Sequence, residues 1–362
     1  MKDILLNDLP ELLKLNNGKK VLNANEWQIR RQEIINDTIL LEYGGMPPAP
    51  DKVEVESLNY GLGKNAACYR IKCEVNNNFF SFCFMLYKPE TKRLNYPVVI
   101  NGDAMYNTCN DTVIEDALKR NFVVVKFNRT ELAPDTPDTE RKWGINAIWK
   151  NLSFSAISAW AWGYHRVVDA LMTFDFIDKE HIAITGHSRG GKTVLLAGAL
   201  DERIRYVNPN GSGAHGGGCW RYIQNNDCEC YEDKRSERLS DLFSAVPHWL
   251  GNEMRRYIDK EGEIPHDMHF IKALVAPRVL LETNGIGDIW ANPKGAYFTH
   301  LAAKEVWKLY GKEKNCISVY RSGGHGHTQT DFDALFEVME YDMCVAVLPN
   351  RFYVKPFEFD LS

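Results

Sequence analysis

The sequence predicts an α/β protein: a three-layer sandwich with a mostly parallel central sheet, helices on both faces and an antiparallel N-terminal edge. Two patterns carry this. From residue 97 onward, short continuous apolar runs alternate with helical patterns, as expected of parallel strands buried on both faces. Before them lie three runs of alternating apolar and polar residues, which read as antiparallel strands. The composition agrees. A chain of 362 residues, 44% hydrophobic and 25% charged, can fill one large core.

The elements follow in order. Residues 25–43 space their apolar side chains as a helix, and Pro47, Pro48 and Pro50 stop it. Strands are expected over 53–58, 67–75 and 79–87, with Asn76-Asn77-Asn78 as a hairpin turn. Buried strands follow at 97–100, 122–125, 181–185, 204–207, 278–281 and 317–319. Helices are expected over 112–120, 155–174, 192–200 and 299–309. The whole chain, 1–362, reads as one domain. Within it, 1–50 is an N-terminal helical extension and 219–263 an irregular polar insertion near the site.

Charge and composition exclude several classes. A net charge of −5 without a basic tract gives no electrostatic case for nucleic acid. No run approaches the ~18 apolar residues of a membrane span. Charges interrupt the apolar residues of Met1–Asp8 too early for a leader core, so the chain as given is expected to be cytoplasmic, or secreted if a leader precedes it. The nine cysteines show no regular framework and read as reduced thiols, with Cys68, Cys73 and Cys83 in predicted strands. Cys228 and Cys230 are the one close pair, and their spacing does not suit zinc. A monomer is expected, with no metal or organic cofactor.

Gly186-His187-Ser188-Arg189-Gly190 follows the apolar run 181–185 and precedes the helix 192–200. This G-x-S-x-G between strand and helix is the pattern of a nucleophile elbow, which lifts a serine hydroxyl above the sheet of an α/β-hydrolase. A serine needs a base to take its proton, and the base needs an acid to orient it. In this fold the chain order is serine, acid, histidine, each beyond the carboxyl end of a strand. Asp288 lies in the glycine-containing loop after 278–281, and His325 in the loop after 317–319. His327 is the alternative base. The other reading of Asp288 is a turn or helix cap. The Arg189 amide, at a helix start, is an expected oxyanion donor, and the loop Asn101-Gly102-Asp103-Ala104 could supply a second. The Arg189 side chain reads equally as a further donor or as a surface ion pair.

Several segments together resemble the glucuronoyl esterases, particularly their bacterial branch. They are Gly186–Thr193 continuing to Arg203; Trp27, Arg30-Arg31, Tyr43-Gly44 and Met46-Pro47; 158–163; Pro247-His248-Trp249; 273–278; 288–293; and Gly324-His325. The resemblance implies a serine esterase that cleaves esters of glucuronic acid or 4-O-methyl-glucuronic acid, of the type that joins plant cell-wall xylan to lignin alcohols. It implies Ser188 as nucleophile, Arg189 as oxyanion-stabilising side chain, and Lys192, Trp290, Trp249 and His248 as substrate-binding residues. Two departures stand out. Gly211 occupies the place of the fungal catalytic glutamate, which leaves Asp288 as the acid. His187 and Gly326-His327 replace the cysteines of a fungal disulfide. The apparent lack of a leader suggests a small imported ester or another acyl substrate. A carbohydrate acetyl esterase is the nearest alternative. A broader acyl hydrolase or thioesterase follows, and then a carbohydrate-binding protein that has lost its chemistry.

Overall fold

The computed structural model describes residues 8–58, 65–91, 93–226 and 233–357. Cys228 and Cys230, and the segment 1–7, lie outside the described residues. The chain opens with α1 (Ala24–Tyr43), then β1 (Lys52–Ser57), β2 (Ala66–Val75) and β3 (Asn78–Tyr87). The alternating part is β4 (Tyr96–Asn101), α2 (Asp111–Lys119), β5 (Val123–Phe127), α3 (Ala156–Leu171), β6 (Ile177–His187), α4 (Arg189–Leu200) and β7 (Tyr206–Asn210). After the short helices α5 (Leu239–Ala245) and α6 (His269–Ala273) come β8 (Val279–Gly285), α7 (Pro293–Lys308), β9 (Cys316–Arg321) and α8 (Gln329–Asp342).

The strands form one sheet in the order β1-β2-β3-β5-β4-β6-β7-β8-β9. Pairing is antiparallel from β1 to β3 and between β3 and β5, and parallel from there on. Asn76 and Asn77 have φ of 47° and 62°, the left-handed pair that a tight hairpin between β2 and β3 needs.

Strand side chains alternate between two cores. Val98 and Ile100 of β4 face a cluster built with Trp160 and Val167 of α3, Leu195 of α4 and Ile271 of α6. Val99 faces a second cluster, with Val113 and Ala117 of α2 and Phe332, Leu335 and Met339 of α8. Both faces are therefore covered, which explains the continuous apolar runs.

Several features depart from expectation, among them the short helices α5, inside the segment 219–263, and α6. α8 is an addition to the predicted elements, although Thr328 and Asp331 form a capping box and Phe332, Leu335, Phe336 and Met339 share one helical stripe. The residues 1–50 are not an appendage: Trp27, Ile34 and Tyr43 of α1 are buried in the first core. Among the described residues, no helix is long and apolar enough to cross a membrane.

Candidate active site

The turn from β6 to α4 is the sharpest feature of the sheet. Ser188 sits there with φ 55° and ψ −117°, a conformation strained for any residue with a Cβ. The flanking glycines are sterically required. A Cβ on Gly186 would lie 2.6 Å from the Gly190 carbonyl oxygen, and one on Gly190 would lie 2.3 Å from the Asp103 carboxylate. Asp103 braces the turn from beneath. Its carboxylate accepts the His187 N–H at 2.8 Å and pairs with the fully buried Arg129 at 2.5 Å.

The loop after β4 therefore has a different role from the expected one. The Gly102 amide already donates to the Tyr164 hydroxyl at 2.6 Å, and the Asp103 amide to the Asn101 side chain at 3.0 Å. Those two donors are engaged, and the loop buttresses the elbow through the Asp103 carboxylate.

Asp288 and His325 meet across the loops that leave β8 and β9. His325 Nδ1 is 2.7 Å from Asp288 Oδ2; the carboxylate is buried, whereas the histidine side chain is 38% exposed. A carboxylate only accepts, so Nδ1 carries the proton and Nε2 keeps its lone pair, as a base requires. The loops are laced by Ile286 N–H to the Arg321 carbonyl and Gly287 N–H to the Gly323 carbonyl, both at 2.9 Å. Arg321 also donates to the Gly324 and Gly326 carbonyls on either side of His325, while its Nε holds Asp331 at 2.8 Å. Sequence reasoning did not single out Arg321; its place at the end of a strand before a glycine-rich loop was the available signal.

The His325 ring centroid lies 4.4 Å from that of His187, the neighbour of Ser188. Burial and the nearby His325 both lower the His187 pKa, so its ring stays neutral beneath the base. His187 Nδ1 is 2.6 Å from Asn210 Oδ1, and Asn210 is fixed in turn by Thr283. Among the described residues no hydrogen bond joins Ser188 Oγ to His325, a contact that often tightens only when substrate is seated. His327, the alternative, packs against α8 instead. It stacks on Phe332 with centroids 4.0 Å apart, and burial holds its pKa well below the ordinary value.

Gly211 has φ 48°, and a Cβ there would come within 3.2 Å of Asp288 Oδ2. A glutamate at 211 and Asp288 would therefore crowd one place. Gly211 leaves it to Asp288.

Arg189 is held at the mouth of the elbow. Its Nη1 donates to Asp135 Oδ2 at 2.6 Å and to the Tyr106 hydroxyl at 3.3 Å, and its guanidinium lies 5.0 Å from the Trp249 ring centre. Asp135 also accepts from Trp249 Nε1 at 2.8 Å and His248 Nε2 at 3.1 Å. Burial would raise the Asp135 pKa, but the hydrogen bonds from His248, Arg189 and Trp249 outweigh it and hold the carboxyl far below the usual range. Trp249 and His248 thus reach the site through Asp135, a residue that its sequence context did not distinguish.

Lys192 lies one helical turn beyond Ser188 but is buried, 3% exposed. Its ammonium donates to the Ser212 carbonyl at 2.8 Å, the Ala214 carbonyl, and Glu237 Oε2 at 3.1 Å. All three protons are engaged, as a buried ammonium requires. The expected direct contact with sugar hydroxyls differs from this arrangement, in which Lys192 anchors the loop after β7. Trp290 is 37% exposed, and its backbone carbonyl accepts from Glu237 N–H at 3.1 Å. The insertion 219–263 supplies Glu237, His248 and Trp249 and so covers one side of the site.

A deeper network supports this side. His215 Nε2 faces the Trp249 carbonyl at 2.9 Å, and its Nδ1 lies 2.6 Å from Glu42. Burial would raise the Glu42 pKa, but hydrogen bonds from His215 and His266 outweigh it and lower it to about 2. The fully buried His215 ring thus bridges the Glu42 carboxylate of α1 to the backbone at Trp249.

Comparison with known proteins agrees with this geometry. Residues 71–311 match the family described as glucuronyl esterase of fungi. A 4-O-methyl-glucuronoyl methylesterase of Schizophyllum commune is 26% identical over 89% of this chain and 78% of its own length. One from Neurospora crassa is 28% identical over 93% of this chain and 81% of its own. A carbohydrate esterase family 15 glucuronoyl esterase from Caldicellulosiruptor kristjansonii superposes with a TM-score of 0.85 at 25% identity, covering 97% of this chain and 94% of that one. A Sporotrichum thermophile glucuronoyl esterase, solved with methyl 4-O-methyl-β-D-glucopyranuronate, has the same fold: TM-score 0.79, 23% identity, covering 98% and 92%. With the family match spanning most of the sheet and the serine elbow at its centre, the chain belongs to the glucuronoyl esterase family.

Proposed function

We propose that this protein hydrolyses glucuronoyl esters through an acyl-enzyme on Ser188. The observation that carries the reading is the Asp288–His325 pair at 2.7 Å, held beside a strained serine elbow in a chain of this family. Ser188 Oγ attacks the ester carbonyl while His325 Nε2 takes its proton. Asp288 keeps the proton of Nδ1 in place and stabilises the imidazolium. Negative charge on the carbonyl oxygen meets the Arg189 amide at the start of α4, with the Arg189 guanidinium as a second donor. His325 then returns its proton to the departing alcohol. A water, deprotonated by His325, releases glucuronic acid and restores the serine.

The acid side of the ester is a sugar carboxylate in this reading, and the complexed relative from Sporotrichum thermophile supports it. The alternative places the sugar on the alcohol side, as an acetylated carbohydrate. Turnover of methyl 4-O-methyl-glucuronate beside that of an acetylated xylose decides between them. Cleavage of the first and not the second is expected; the reverse overturns the proposal. A fluorophosphonate should also label Ser188 in the folded protein, and absence of that adduct would exclude the acyl-enzyme.

A further inference from the structure

A cavity lies on the Arg189 side of the site. It lies between the segments 134–156 and 247–255 and encloses about 540 Å³. That is within the ~300–1,000 Å³ of small-molecule sites. Pro134 and Thr136, which flank Asp135, belong to its wall, as does His248. The cavity is therefore one hydrogen bond removed from the group that holds Arg189.

Its lining is cationic. Arg141, Lys150 and Arg255 face it, against the single carboxylate of Asp138. Asp138 is already committed: it accepts from the Lys142 and Trp143 amides and from the Asn146 side chain, at 3.0–3.2 Å. Among the described residues none of the three cations is in an ion pair. Arg141 donates to the Trp149 and Phe154 carbonyls, both at 3.3 Å, and lies over the Phe154 ring. Its Nη2 is buried and has no hydrogen-bond partner. Arg255 lies over Phe243, 4.6 Å from the ring centre.

His248 contributes a second unsatisfied atom. Its side chain is nine-tenths buried and its Nδ1 has no partner. Its Nε2 faces the Asp135 carboxylate at 3.1 Å. The wall thus sets three cations outside any ion pair against one committed carboxylate, which suits an anionic ligand. Beside a site for glucuronoyl esters, the anion that fits is a sugar carboxylate.

We propose that this cavity is a subsite for a second, unesterified uronic acid unit of the carbohydrate whose ester is cleaved. Its carboxylate meets the positive charge of Arg141, Lys150 and Arg255. The subsite selects acidic polysaccharide over neutral, and it rests on the glucuronoyl-ester reading above.

The test is binding to the full chain carrying Ser188→Ala, followed by calorimetry. The probes are an acidic xylo-oligosaccharide with one free glucuronate and neutral xylotetraose. The acidic sugar should bind about tenfold tighter at low salt, the worth of two or three partly exposed charge contacts. The preference should disappear in Lys150→Glu/Arg255→Glu, whose changes are at exposed positions, and shrink at high salt. Equal affinity for the two sugars, or a preference that survives charge reversal, overturns the subsite. Hydrolysis of methyl glucuronate by the unaltered protein reports on the ester reading separately. Hydrolysis without acidic preference sinks the subsite alone; acidic preference without hydrolysis sinks the ester reading alone.

Discussion

Two of the molecule's histidine–carboxylate pairs have opposite characters. His325 and Asp288 lie 2.7 Å apart at the exits of β9 and β8, with the histidine side chain 38% exposed. His300 and Glu282 lie 2.6 Å apart beneath α7, with both side chains buried. The second pair even has a nucleophilic atom in reach, since Cys316 Sγ is 3.5 Å from His300 Nε2. Yet burial raises the Cys316 pKa strongly, and Glu282 is also held by Lys272 at 2.7 Å. A serine, cysteine or histidine beside a carboxylate is therefore not chemistry by itself. The pair at 325 and 288 stands at the carboxyl ends of parallel strands, beside an exposed elbow. The pair at 300 and 282 is part of what holds α6, α7 and β8 together.

Substitutions sharpen that contrast. The largest effect is expected at Asp288. Asp288→Asn should lower kcat on methyl glucuronate by about 10⁴, because the imidazole loses its oriented tautomer. A loss below tenfold would make the exposed pair as incidental as the buried one. Arg189→Ala comes next, with an expected loss of about 10²–10³ in kcat and the serine still labelled by fluorophosphonate.

Glu282→Gln should act in the other direction. It leaves Lys272 buried without its counter-charge, at a cost of roughly 3–5 kcal/mol in urea unfolding. The kcat of the folded fraction should stay within about twofold of the parent, as expected of a substitution that touches stability alone. A large fall in kcat with unchanged stability would reverse the assignment.

The smallest effect is in the acid response. His327 is held neutral, well below its ordinary pKa of 6.5, so the unfolded chain takes a proton that the folded core refuses. Stability should therefore decline as pH falls below 6.5, by about 1.4 kcal/mol per pH unit for each such group. His327→Phe should remove one proton from that slope. Glu42, lowered from 4.5 to about 2, supplies stability that is complete above 4.5 and is lost as pH falls toward 2. Unfolding curves between pH 7 and 3 separate the two windows, and a slope unaltered by His327→Phe would refute the first.

Local patterns in the sequence were enough for much of the fold. The β-branched runs, the Asn76-Asn77 turn and the glycines at 186 and 190 each answer to a local rule of sterics or periodicity, and the strands stand where those rules put them. The serine elbow was legible for the same reason. α8 was not, although its capping box and apolar stripe were visible. Its sequence follows directly on the histidine loop, and no strand after it marks it as a crossover.

What the sequence by itself determined is the set of chemical parts and their order: serine, then aspartate, then histidine, each beyond a strand. Only the tertiary structure decided which histidine turns toward the elbow, and that Asp135, Asp103 and Arg321 are the residues that hold the parts in place. The reason is physical. Periodicity fixes which face a side chain occupies within its own element. Hydrogen bonds and ion pairs between distant loops depend on how those elements pack, and a burial that turns Lys192 inward or leaves Arg141 Nη2 without a hydrogen-bond partner exists only once the sheet is assembled.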